Sequence, residues 1–276
     1  MRVIYLSDHV GLQLTKTEQQ YEAVHVRLGG WQSARQRAGN DAGAARWAKP
    51  WWKILLFIST PQEQEARARS AEAERQIGLA RQEMDRLDQR KQQLSAGADG
   101  ENFLVEGLSV LSEEWVMLCG YRNRRGEADH VLVGPTGIWV AEGKYRRVRV
   151  TVTGDRWWFE KLDNWGNMVD EGPATDRSGR SWARQANDVA QDLSRWLARN
   201  GYRYPVSTAV MLTHHQAEVG ECRDLTVNLV GSSPEHLLEE LRGPAWLSPD
   251  DRAEVVRLIE RDHHFHNQSG QRRRRR

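Results

Sequence analysis

Apolar and polar positions along the second half of the chain follow two clear periods. His130-Val131-Leu132-Val133 and Ile138-Trp139-Val140-Ala141 flank the turn formers Gly134-Pro135-Thr136-Gly137, which predicts a β-hairpin folded about Pro135-Thr136. Val148, Val150 and Val152 alternate with Arg147, Arg149, Thr151 and Thr153, as in a half-buried strand with a basic outer face. Further strands are expected over Trp115–Cys119, Val206–Leu212 and Leu225–Val230. Ser181–Asn200 has the period of an amphipathic helix closed by Gly201, and Pro234–Leu241 reads as a short helix. Another helix should start near Glu101 and carry Phe103, Leu104, Leu108 and Leu111. Pro249–Asp262 reads as a last helix capped by Ser248. Residues 160–180, rich in Gly, Asp and Asn, are expected to be loop. This order predicts an α/β fold with a mixed central β-sheet flanked by helices.

The pattern is different upstream. Residues 62–95 hold no proline and balance seven acids against seven bases. A 4-3 spacing runs through Ala66, Ala73, Ile77, Ala80, Met84, Leu87 and Leu94, with Ser70 and Lys91 filling two seam positions. That is a heptad seam, expected of a coiled coil, a helical hairpin arm or a single linker helix. The breaker cluster SAGADG at 95–100 marks the expected boundary with the globular part. Before the arm, Thr15-Lys16-Thr17-Glu18 resembles a capping box opening a short helix, Gly29-Gly30 should interrupt it, and residues 38–45 suggest a loop. The expected organisation is therefore an N-terminal region at 1–61 of no assigned role, a helical arm at 62–96, a globular domain at 97–242, a helix at 243–262 and a disordered basic tail at 263–276.

A net charge of +2 over 276 residues excludes a globally basic nucleic-acid binder, so any such footprint must be local. Cys119 and Cys222 are too few and too far apart for a zinc ribbon or a disulfide scaffold, which fits a reducing, cytoplasmic compartment. MRVIYLSDHVGLQL lacks the charged and apolar regions of a secretory signal. WWKILLFI at 51–58 is too short to cross a bilayer, for which about 20 apolar residues are needed. It reads as a buried strand or docking segment, with an interfacial anchor as the minority reading. The run from Arg272 to Arg276 is at most a non-specific phosphate-binding tail, and His263, His264 and His266, flanking it, are read as carrying no specific role, with metal binding as the minority reading.

The hairpin carries the candidate chemistry. Folding about Pro135-Thr136 sets Asp129 opposite Glu142, and strand alternation brings Lys144 to the same face as Glu142. Like charges so placed repel unless a cation or a proton lies between them. Only six of the 40 basic residues are lysine, so a lysine here is not the chain's usual surface charge. Its compact ammonium fits beside an attacking water where a guanidinium does not. A solvated hairpin end with three charges that merely neutralise one another is the competing reading.

GADGENFL at 97–104, GEADHVLVGPTGIWVAEGK at 126–144, GDRWW at 154–158 and RQANDVAQDL at 184–193 together resemble a NERD domain, the nuclease-related branch of the PD-(D/E)xK superfamily. The resemblance covers about 97–242. It implies a restriction-endonuclease-like core in which Asp129 and Glu142 ligate magnesium or manganese, helped by the Gly143 carbonyl. It further implies that Lys144 orients or activates the water, that Glu101 completes the acidic cluster and that Gln185 positions the site or the nucleic acid. Arg146, Arg147 and Arg149 follow the site and suit phosphate contacts. The sequence departs from the family in Tyr145-Arg146-Arg147, where Asn or a small residue is expected, and in Val189, where some relatives carry tyrosine. The expected activity is metal-dependent phosphodiester hydrolysis of nucleic acid, with DNA as the leading substrate. The alternative is a non-catalytic nucleic-acid-binding or scaffold protein, membrane-peripheral in one version, and the 62–96 helix would support a homo-oligomer.

Overall fold

The computed structural model describes the chain except for Asp8, residues 51–58, Asn164, Arg177 and residues 275–276. The apolar run at 51–58 therefore lies outside the described residues. The rest forms two compact units, one of residues 10–95 and one of residues 1–9 with 96–276.

The first unit is a helical hairpin. Helix α1 spans His9–Trp47 and α2 spans Pro61–Gly107, its last turns belonging to the second unit. The ion pairs Glu18–Lys91, Arg27–Glu83, Arg35–Glu74, Asp41–Arg69 and Lys49–Glu63 fix an antiparallel pairing. Ala66, Ala73, Ile77 and Ala80 of the seam are buried, with Thr17, Val24 and Ala38 of α1. The seam is thus used within the chain. Gly29-Gly30 does not break α1, and residues 38–45 are helix rather than loop. A Cβ on Gly29, Gly30, Gly39 or Gly43 would meet open space, so these glycines cost only their intrinsic penalty, about 1 kcal/mol each, which burial along the seam offsets. Thr15 is no cap, because its hydroxyl donates to the Gly11 carbonyl one turn back. The capping box stands at Thr60 and Glu63 instead, each side chain accepting from the other's N–H. SAGADG is likewise helical, so the helix that carries Glu101 begins at Pro61.

The second unit is a mixed α/β fold. A six-stranded sheet has the order β1 (Arg2–Tyr5), β2 (Val116–Arg122), β3 (Glu127–Gly134), β4 (Gly137–Lys144), β8 (Val206–Leu212) and β10 (Leu229–Gly231). Strands β2, β3 and β4 pair antiparallel, whereas β1, β8 and β10 join in parallel. β1 comes from the region left unassigned in the sequence. A four-stranded sheet has the order β7 (Met168–Pro173), β6 (Arg156–Leu162), β5 (Val148–Thr153) and β9 (Glu218–Arg223).

Residues 160–180 are thus partly strand, with β6 running to Leu162 and β7 spanning Met168–Pro173. The Gly/Asp/Asn composition belongs to the turn around Asp163, and to an edge strand, β7, that is exposed at most positions. The strand expected over Leu225–Val230 is also displaced. Asp224, at φ 49°, ends β9, and the Asn228 side chain accepts from Thr208 N where a ladder bond would otherwise form.

Helix α3 (Trp182–Arg199) is capped by Ser181 and lays Val189, Leu193 and Leu197 on one face of the large sheet, beside Val255 and Ile259 of α5 (Pro249–Arg274). The other face takes Leu104 of α2 and Leu108 just beyond its end, with Leu237 and Leu241 of the segment around α4 (Pro234–Glu240). The expected disordered tail is helical as far as Arg274. His263 is buried and its Nδ1 accepts from Arg122 N, while Asp262 accepts from the Tyr121 hydroxyl at 2.6 Å. These anchors hold α5 well past residue 262, and Gln and Arg propagate a helix readily.

Candidate active site

The hairpin has the expected register, with His130 opposite Ala141, Val131 opposite Val140 and Gly134 opposite Gly137. Asp129 and Glu142 occupy the next positions, where the ladder stops. On the other side, the β2–β3 ladder skips Gly120 and Asp129. Gly120 takes φ +71°, a conformation that favours glycine, and the side-chain alternation changes phase there: Leu118 and Tyr121 share one core although they lie three residues apart. Released from both ladders, the Asp129 carboxylate turns back to accept the Gly143 N–H on Oδ2 at 2.7 Å.

Glu142 is 7% exposed. Its Oε1 accepts from Lys144 Nζ at 2.6 Å, and its Oε2 has no hydrogen-bond partner. Burial pushes the Glu142 carboxyl up to about 7, with the Asp129 charge as the second cause and Lys144 opposing both. Burial also holds the Asp129 carboxyl above its ordinary value, against the pull of Lys144 and the Gly143 N–H. Two buried carboxylates that resist ionisation together form a site that a cation would relieve. The Lys144 ammonium is steadied from below by the Trp182 ring at 5.9 Å.

Glu101 stands near the end of α2, one residue after Gly100. The Cys119 thiol is pushed up to about 12 by burial, with the charges of Glu101 and Asp129 as the further causes, so both charges are felt there. Gly100 allows a close approach, since a Cβ there would fall 2.6 Å from Thr213 Oγ1 and 2.9 Å from Tyr145 Cβ.

Residues 96–213 match the family model NERD, described as a nuclease-related domain. Residues 96–213 are a NERD domain. Comparison with curated proteins and with solved structures returned no match. The matched segment begins in the last turns of α2, so it takes in Glu101, and it ends at Thr213, just past β8.

Within the NERD domain the other expected residues divide. Gln185 donates from Nε2 to Asp176 at 3.1 Å and buries an unpartnered Oε1. The Arg146 guanidinium lies 5.8 Å from the ring of Trp182, which it shares with Lys144. The charge of Arg147 acts on His214 and Asp163. Arg149 points away, paired with Glu218 at 2.7 Å and Glu160 at 3.6 Å on the four-stranded sheet, so its charge is already taken.

Two residues escaped the sequence reading. Trp182 supports both cations, and its only sequence signal is its place three residues before Gln185. His130 is fully buried with neither nitrogen hydrogen-bonded, and burial pushes it down to about 4. Among the described residues, no group of three or more His, Cys, Asp or Glu is arranged to hold a metal ion.

Proposed function

We propose that the NERD domain of this protein hydrolyses phosphodiester bonds of nucleic acid with a divalent cation, magnesium or manganese, held by Asp129 and Glu142. The observation that carries this reading is Glu142 Oε2, a buried carboxylate oxygen with no hydrogen-bond partner, beside a second buried carboxylate. This donor set fits a hard cation that keeps several waters and needs only one or two protein carboxylates. Glu101 would support the ion through solvent, and the Gly143 carbonyl is the remaining candidate donor. A divalent ion bound there supplies Lewis acidity toward a phosphoryl oxygen and lowers the pKa of water.

The chain's own residues do the rest. Lys144, which donates to Glu142 Oε1, would present its ammonium to the charge that grows on the phosphoryl group and orient the attacking water. Trp182 restricts where that ammonium can go, and Arg146 on the same ring is placed to meet the neighbouring phosphate. DNA is the leading substrate in this reading.

The test is hydrolysis of bis(4-nitrophenyl) phosphate and of DNA by the purified full chain, with magnesium, with manganese and with chelator. Chelator-sensitive turnover that disappears in Asp129→Asn supports the proposal. Turnover unaffected by that substitution, or none under any condition, rejects it in favour of a non-catalytic binding module.

A further inference from the structure

A second feature of the NERD domain lies outside this site. A cleft of about 390 Å³ opens between the β5–β6 turn and β6 on one side and the segment leading into α3 on the other. Its lining includes Asp155, Arg156, Trp157, Trp158, Arg180 and Arg184, three guanidiniums against one carboxylate. Arg180 is committed to Asp176 at 2.9 Å. Arg156 and Arg184 are exposed and form no ion pair among the described residues.

Trp158 is 45% exposed, and its indole N–H donates to Glu171 at 3.0 Å. That bond fixes the ring by its edge and leaves its faces for contact. An exposed tryptophan held in place costs little entropy when a flat ring stacks on it, and every base offers such a ring. Free guanidiniums beside it are the complement of a phosphate backbone.

The cleft is also joined to the candidate active site. Its wall residue Trp157 packs on Trp182 at 6.2 Å, and Trp182 is the ring beneath Lys144. Two ring contacts therefore separate the cleft from the ammonium. With a rise of about 3.4 Å per nucleotide, one strand needs only a few nucleotides to reach both.

We infer that this cleft binds a single-stranded stretch of nucleic acid beside the scissile bond, with a base stacked on Trp158 and phosphates on Arg156 and Arg184. The inference rests on the phosphodiesterase reading of Asp129, Glu142 and Lys144. A single strand is required because a base inside a duplex has no free face to offer.

Binding is measured on the full chain in chelator, so that nothing is cleaved. Fluorescence anisotropy follows labelled single strands of about 12 nucleotides, one DNA and one RNA of the same sequence, over a range of salt. Trp158→Ala should weaken binding by roughly tenfold or more. Arg156→Gln with Arg184→Gln should flatten the log-affinity against log-salt slope by about 1.4, the value for two phosphates on a single strand. Arg223→Gln, an exposed arginine paired with Glu221 on the opposite edge strand, is the control for loss of a surface charge. A loss on both strands assigns the cleft to backbone and base stacking alone; a loss on one identifies the sugar it accepts.

The inference is overturned if the cleft variants bind no worse than Arg223→Gln, or if the wild type binds neither strand at low salt. Failure here is separable from failure of the phosphodiesterase reading, which is judged on bis(4-nitrophenyl) phosphate, a diester too small to reach the cleft.

Discussion

Lys144 donates to Glu142 Oε1 at 2.6 Å from a position two residues along the same strand. A pair at that spacing on a strand shares a face, so the contact is built into the hairpin and needs no loop to hold it. It leaves Glu142 Oε2 without a hydrogen-bond partner, and it compensates only part of the burial that pushes the carboxyl up to about 7.

Removing either carboxylate should therefore separate activity from stability. Asp129→Asn and Glu142→Gln are expected to lose at least a hundredfold in metal-dependent hydrolysis while melting no lower than the wild type in chelator, because the mutual repulsion is relieved. Melting curves with and without magnesium read this directly. A magnesium-induced rise in Tm should occur in the wild type and be absent in both variants.

Lys144→Arg should lose activity as completely as Lys144→Gln. The Lys144 side chain is 17% exposed, its ammonium between Glu142 and the Trp182 ring, and the larger planar guanidinium cannot take its place beside an attacking water. Wild-type turnover in Lys144→Arg would mean that the residue contributes only charge.

Two buried neighbours should bend the pH dependence of metal-free stability in opposite senses. Glu142 has its folded pKa raised to about 7 from 4.5, so the folded state holds a proton that the unfolded chain releases, and its contribution falls as pH rises through that window. His130 has its folded pKa lowered to about 4 from 6.5, so the unfolded chain takes up the proton first and stability falls as pH drops through that range. Relative to wild type, Glu142→Gln should gain stability from pH 4.5 towards 7. His130→Phe should gain it from pH 6.5 towards 4, since neither ring nitrogen has a hydrogen bond to lose. Chemical denaturation at several pH values in chelator tests both, and parallel curves for either variant contradict its assignment.

The heptad seam should behave as an internal one. Ile77→Asp places a carboxylate at a position that is 5% exposed within the hairpin, a change expected to cost about 3 kcal/mol or more. Loss of helical circular dichroism and early proteolysis within residues 10–95, with hydrolysis of the small diester retained, is the expected result. A shift in molecular mass without loss of helix would instead place the seam between chains.

The hairpin's charged pair was legible in the sequence because its register follows from the position of one turn, and alternation then fixes which side chains share a face. The same locality made α3 and the Ser181 cap readable. His130 was not, since a buried histidine without partners has the same letters around it as a solvated one. Arg149 misled for a similar reason: its partners Glu218 and Glu160 come from other strands, one of them 69 residues away. The glycines of α1 read as breakers, because intrinsic propensity is local while the partner helix that overrides it is not.

The sequence by itself determined the strand–turn–strand unit of β3 and β4, the register that brings Asp129 and Glu142 to the end of that ladder, and the placement of Lys144 beside Glu142. All of these depend on short-range geometry with a period of two. Only the tertiary structure decided that β1 completes the large sheet, that the helix carrying Glu101 begins as far back as Pro61, and that α5 continues past residue 262 on the anchors of Tyr121 and Arg122. It also decided the depth of burial that raises the two carboxyls, because desolvation is set by everything packed around a group and not by its neighbours in the chain.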